Sequence, residues 1–223
     1  MAGVGQLRLP FEDTLRYEAA DFVAAESNEA AMSWLGRDDW PDRRLAIWGP
    51  EGCGKTHLLH VWAGRRQASI LDGRALAGMP DLPMAGGVAV DDADRIADEE
   101  ALLHLLNTAR DRGLFVLLGA RPAPARWAVS LPDLSSRLRA VNAVEIAAPD
   151  DGLLEALVIR AMAQRQLEVP ANLAPYMVRH WTRSAAGILE AVRRLDEASL
   201  AQGRAITRRF AAEVLGLKSS ADG

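Results

Sequence analysis

Short apolar runs, bounded by polar or glycine-rich turns, recur through the first two thirds of the chain and stop recurring after Pro149. Leu45-Ala46-Ile47-Trp48, Ser69-Ile70-Leu71, Val88-Ala89-Val90, residues 114–118 and Val144-Glu145-Ile146 each have the length of a buried strand. Between them the period lengthens to that of a helix. Residues 57–66 form one such stretch. A second is capped by Asp98, presents Leu102, Leu103, Leu105, Leu106 and Ala109 on one face, and ends at Gly113. Residues 17–40 are also mostly helix-compatible, with Ser27-Asn28 as a start signal. Apolar strands alternating with helices predict an α/β domain whose central parallel sheet is covered on both faces. Beyond Pro149, residues 153–166, 172–180, 185–201 and 207–215 read as helices with no strand among them. The expected organisation is therefore an extended arm over 1–16, an α/β domain over 17–149, a small all-α domain over 150–218, and a frayed tail over 219–223. Pro149-Asp150-Asp151-Gly152 is the expected hinge.

Composition narrows the class without naming a chemistry. At 223 residues the chain can bury a substantial core. Its 49% hydrophobic and 25% charged residues are ordinary for a water-soluble globular protein. A net charge of −4 argues against nucleic-acid binding by bulk electrostatics, so DNA contact is expected to be indirect or weak. No apolar run approaches the ~18 residues needed to span a bilayer, and residues 1–8 lack the pattern of a secretory signal. The lone cysteine, Cys53, excludes an internal disulfide framework and fits a reducing cytoplasm. Positive charge is almost entirely arginine, with lysine only at Lys55 and Lys218.

That bias sharpens the one strong motif. Gly49-Pro50-Glu51-Gly52-Cys53-Gly54-Lys55-Thr56 matches GxxxxGK[ST], the P-loop or Walker A pattern, with a predicted strand before it and a helix after it. Glycines allow backbone N–H groups to converge on phosphate oxygens, and the helix N-terminus adds a favourable dipole. Lys55 is a compact charge for the β- and γ-phosphates, and the Thr56 hydroxyl is a magnesium ligand. The expected cradle runs over these eight residues and His57, for ADP or ATP with Mg2+. Cys53 occupies a free position of the loop, where a catalytic thiol is much the weaker reading.

Asp91-Asp92 closes the third predicted strand. Alone, two aspartates there are better read as opening a solvated loop; beside a P-loop they read as a Walker B. Asp91 is then a magnesium ligand, partly through water, and Asp92 a group that orients the attacking water.

With these motifs placed, the chain resembles the DnaA-like branch of the AAA+ ATPases, most closely the Hda regulators of bacterial replication initiation. The resemblance extends over Tyr17, Asp21-Phe22 and Ser27-Asn28, the Walker motifs, Arg121-Pro122, Leu131-Pro132-Asp133-Leu134-Ser135-Ser136-Arg137-Leu138, and a helical lid. It does not include the helix-turn-helix of the initiator, which points to a regulator rather than DnaA itself. Gln6-Leu7-Arg8-Leu9-Pro10-Phe11 is similar to the peptide by which Hda proteins bind the DNA polymerase sliding clamp. There Leu7, Leu9 and Phe11 act as anchors, Gln6 hydrogen-bonds at a pocket rim and Pro10 holds the peptide extended. Arg137 is similar to the family's arginine finger, which reaches from one subunit to the γ-phosphate held by its neighbour.

Two positions depart from the pattern of an efficient ATPase. The polar sensor at the end of the fourth strand falls on Ala120. The lid arginine that senses the γ-phosphate aligns near Ala186, with Arg183 as the nearby alternative. The resemblance therefore implies nucleotide binding with weak intrinsic hydrolysis. It implies a clamp-tethered adaptor that promotes hydrolysis of DnaA-bound ATP, and leaves self-association open. An autonomous ATPase or helicase loader of the same branch is the rival expectation.

Overall fold

The computed structural model describes residues 23–217. The peptide over 6–11, together with Tyr17, Asp21 and Phe22, lies outside the described residues. Five strands form one sheet: β1 (Arg44–Trp48), β2 (Ser69–Asp72), β3 (Gly87–Asp91), β4 (Phe115–Ala120) and β5 (Asn142–Glu145). Their order is β2-β3-β4-β1-β5, and every pairing is parallel. The central strands carry the longest apolar runs because both their faces are buried. Leu45, Ala46, Ile47, Val88, Ala89, Val90, Leu117 and Leu118 are all fully enclosed.

Helices α1 (Glu29–Leu35) and α2 (Lys55–Arg66) cover one face. There Leu58, Leu59 and Trp62 pack on Leu45, Ile47, Ala89 and Leu117. Helices α3 (Glu99–Asp111) and α4 (Pro132–Ala140) cover the other. On that side Leu102, Leu106, Leu134 and Leu138 pack on Ala46, Val88, Val90, Val116 and Leu118. Alternation along each strand sends successive side chains to opposite layers.

The helices that follow are α5 (Asp151–Gln164), α6 (Leu173–His180), α7 (Ala185–Gln202) and α8 (Arg208–Leu215). They enclose a second core that includes Leu154, Met162, Met177, Ile188, Leu195 and Phe210. Three of the four begin on a side-chain cap. Asp150, Ser184 and Thr207 accept the amides of Leu153, Gly187 and Phe210 at 2.7, 3.0 and 3.1 Å. No helix among the described residues is long and apolar enough to cross a membrane.

The structure differs from the periodicity in two places. Within 17–40 the described helix is only α1, seven residues long. Asn28 explains its late start. The side chain is buried, accepts the Ala25 amide at 3.0 Å and donates to the Val23 carbonyl at 3.0 Å. It thus ties the preceding residues into a turn instead of a helix. The second difference is α4, which the apolar pattern does not announce. Only Leu134 and Leu138 are buried along its nine residues, and Pro132 stands at its first turn, where proline fits because no N–H is needed.

Candidate functional site

The residues 49–56 join β1 to α2 at the carboxyl edge of the sheet. Two of its glycines are sterically required. A Cβ on Gly49 would lie 2.1 Å from the Ile146 carbonyl oxygen. At Gly52 φ is +78°, and a Cβ would lie 2.3 Å from the Cβ of Ser184. The second contact shows that the loop lies directly against the N-terminus of α7. Consistently, the Ala185 amide donates to the Gly52 carbonyl at 3.1 Å. Pro50 and Glu51 form the exposed tip, and Gly54 precedes α2 with φ +105°.

Lys55 is only 9% exposed. Its ammonium donates to the carbonyls of Gly49 and Pro50, both at 2.8 Å. Among the described residues no carboxylate pairs with it. A buried cation held by two carbonyls and the Cys53 sulfur at 3.7 Å, with no anion, favours an incoming one, because the desolvation of the charge is only partly compensated. The aligned amides at the start of α2 act in the same sense. The Thr56 hydroxyl donates to Asp91 Oδ2 at 2.6 Å. A hydroxyl and a carboxylate thus meet at one point beside the loop, which is an oxygen donor set suited to magnesium. The loop and these two oxygens fit a magnesium-bound phosphate group.

Asp92 is differently engaged. Its backbone is left-handed, with φ 48°, and its carboxylate pairs with Arg74 at 2.9 Å. Cys53 is buried, and burial pushes its thiol above the usual range despite the nearby Lys55. It is therefore a packing residue and not an activated nucleophile. His57 lies half-buried in the first turn of α2. β4 ends on Ala120, which is fully buried in the α3 layer. Arg183 pairs with Asp151 at the start of α5, and Ala186 is exposed in the first turn of α7.

Arg137 lies on α4, on the sheet face opposite α2. It pairs with Asp133 one turn earlier, with Nε and Nη2 at 3.2 and 3.3 Å from the carboxylate. Arg137 is also close enough to Arg44 to act on its charge. Burial first, and then Arg137, push the Arg44 guanidinium below its usual value. Arg44 begins β1 whereas the P-loop follows its end, so a strand length of ~13 Å and the sheet itself separate Arg137 from Lys55.

One positioning residue carries no sequence signal. Glu99 at the start of α3 accepts the Ser130 amide through both oxygens at 2.8 and 2.9 Å, and the Leu131 amide at 2.8 Å. It thereby holds the strap that leads into α4. These backbone hydrogen bonds hold its carboxyl below the usual glutamate range. The folded value being the lower one, the clamp is complete above the ordinary glutamate pKa and is lost as pH falls through the depressed value. The Ser130 and Leu131 amide resonances are expected to move together in that acidic window and to lose the transition in Glu99→Gln. Independent titration of the two amides would count against a shared clamp.

Residues 150–215 match the family described as Hda, lid domain. The whole fold is similar to domain III of the replication initiation protein DnaA of Thermotoga maritima. The TM-score is 0.71 at 16% identity, covering 90% of this chain and 95% of that one. A DnaA replication initiator bound to AMPPCP and single-stranded DNA matches with a TM-score of 0.65 at 17% identity, over 84% of this chain and 68% of that one. The Thermotoga maritima RuvB Holliday junction branch migration motor matches with a TM-score of 0.68 at 19% identity, over 90% and 71% of the respective chains.

Proposed function

We propose that the chain is an Hda-like, DnaA-related AAA+ regulator of replication initiation that binds adenine nucleotide and acts on DnaA; the match of residues 150–215 to the Hda lid family and the likeness of the fold to DnaA domain III support this reading. The observation that carries this reading is the docking of an Hda-type lid directly on a P-loop, through Gly52, Ser184 and Ala185. Nucleotide at the loop is then felt by the lid, so occupancy sets the relation of the two parts. Lys55 and the α2 amides take the phosphates, while Thr56 and Asp91 hold magnesium, partly through water. Magnesium supplies positive charge that offsets the β- and γ-phosphate oxygens. Asp92, held by Arg74, orients a water once that pair opens.

The same reading assigns hydrolysis chiefly to the partner. Ala120 offers no polar group, and Arg183 is engaged by Asp151, which supports weak intrinsic turnover. Arg137 faces away from its own P-loop and serves a neighbouring site in trans. The peptide over 6–11, with Gln6, Leu7, Leu9, Pro10 and Phe11 as its contacts, tethers the protein to the sliding clamp. In this scheme the clamp delivers the protein to DnaA carrying ATP, and hydrolysis there ends the initiation-competent state. The test is a single-turnover measurement of ATP hydrolysis by DnaA, with clamp loaded on DNA. Acceleration is expected with the whole chain, and loss of clamp binding and of acceleration is expected on removing 6–11. A protein that fails to accelerate DnaA but turns over ATP rapidly by itself would favour the motor reading instead.

A further inference from the structure

A second concentration of cations lies at the edge of the sheet opposite the P-loop. There β1, β3 and β4 begin and α2 and α3 end, around a cavity of about 640 Å³ lined by Arg43, Arg65, Arg66 and Arg112. The 12 residues of α2 separate it from Lys55 by ~18 Å, so a phosphate on the loop does not reach it. Asp38 is the one carboxylate among its lining residues, and it pairs with Arg66. Arg43 and Arg112 donate only to carbonyls, those of Gly113 and Leu82. Arg65 is exposed. Among the described residues no carboxylate pairs with Arg43, Arg65 or Arg112.

Helix ends account for part of this charge. Arg65 and Arg66 lie in the last turn of α2, and Arg112 follows the end of α3, where cations complement the dipole. Arg43 is on neither helix. It and Asp42 hold left-handed backbone, with φ 54° and 48°, which costs a residue other than glycine about 1–2 kcal/mol. From that turn the Arg43 guanidinium lies 5.2 Å from the ring centroid of Phe115, and Arg66 lies 4.1 Å from the same centroid. Two cations thus share one ring. Each helix end carries about half a negative charge and Asp38 one more, so about two of the four positive charges remain unbalanced.

A guanidinium fork accepts a carboxylate or a phosphate, and the neighbouring side chains decide between them. Trp62 is buried and Phe115 underlies two arginines, so neither ring offers an open face on which a base could stack. At the rim stands Met84, 84% exposed, a flexible apolar side chain of the kind used at adaptable protein contacts. We propose that this cavity is a docking site for an acidic segment of a partner protein, in which carboxylates flank an apolar side chain. The carboxylates engage Arg43, Arg65 and Arg112, while the apolar side chain packs on Met84. The site is separate from the P-loop and does not depend on the nucleotide reading.

The experiment is fluorescence anisotropy of the whole protein, with saturating Mg-ADP over the P-loop and a labelled peptide that alternates glutamate with leucine. A peptide with glutamine in place of glutamate is expected to bind about tenfold more weakly. Arg43→Ala, Arg65→Ala and Arg112→Ala should each weaken the glutamate peptide by roughly three- to tenfold. Met84→Ser should weaken it by about threefold. Arg65 and Met84 are exposed, so those two variants fold whatever becomes of the others, and the arginine variants distinguish the cavity from the P-loop. Equal binding of the two peptides, no binding of either, or indifference to all three arginine variants would overturn the site. Displacement of the labelled peptide by a single-stranded oligonucleotide or by phosphatidylglycerol vesicles, at lower concentration than by unlabelled peptide, would overturn the choice of an acidic peptide.

Discussion

Replacing Arg137 by alanine is expected to slow the hydrolysis of DnaA-bound ATP, in the presence of loaded clamp, by on the order of 10³-fold relative to the unaltered protein. That is the scale on which a trans arginine stabilises charge spreading over the transferred phosphoryl group. The geometry makes the prediction specific. Arg137 lies across the sheet from its own P-loop, so its loss should leave nucleotide binding by the same chain untouched. Leu134 and Leu138 hold α4 to the core independently of it. Its pair with Asp133 is a single-turn surface interaction worth about 0.3–0.5 kcal/mol, so it is released for a partner at little cost. The melting temperature should barely change. Arg137→Lys keeps the charge but not the planar fork, and should recover only part of the rate. The measurement is single-turnover release of phosphate from DnaA preloaded with ATP. Full acceleration by the alanine variant would remove Arg137 from the mechanism.

What was legible in the sequence follows from where local chemistry suffices. The strands of a parallel sheet are buried on both faces, so Leu45–Trp48 and Val88–Val90 appear as unbroken apolar runs whatever their neighbours. The P-loop is equally local, because left-handed backbone and close approach demand glycine at fixed spacing. The lid helices were legible through their period alone, while the caps at Asp150, Ser184 and Thr207 that fix three of their starts became visible only in the fold. Helix α4 was invisible for the complementary reason. Its order comes from two leucines and from Glu99, more than 30 residues earlier in the chain. Likewise α1 begins late because Asn28 closes a turn, and an asparagine before a helix reads the same whether it caps or turns. The contact of Gly52 with Ser184 and that of Arg121 with Glu51 join segments distant in sequence. No periodicity reports such contacts. The sequence pattern therefore located the parts of the site, while their coupling to the lid and to β4 is a property of the folded chain.

The second large effect is expected at Lys55. Lys55→Ala should weaken ADP and ATP binding by roughly 10- to 100-fold, the scale of a lost charge-assisted contact to phosphate. The free protein should not suffer in proportion. Its ammonium is buried against the carbonyls of Gly49 and Pro50 without a carboxylate partner, so the substitution also removes a desolvated charge. The two consequences separate in thermal unfolding with and without Mg-ADP. Ligand at about 100 times its dissociation constant stabilises a folded protein by about 2.7 kcal/mol, whereas ligand near its dissociation constant adds only about 0.4 kcal/mol. At one fixed ADP concentration the wild type should therefore show a clear upward shift in Tm and Lys55→Ala one about half as large for a tenfold loss and almost none for a hundredfold loss, from similar starting points. An equal nucleotide-induced shift in both proteins would mean that the phosphates rest on the loop amides and α2 alone, and that the buried lysine serves the fold. Because the P-loop touches α7 through Gly52 and Ala185, the shift should extend to the lid. Amide exchange at the start of α7 should slow with ADP in the wild type and remain fast in the variant.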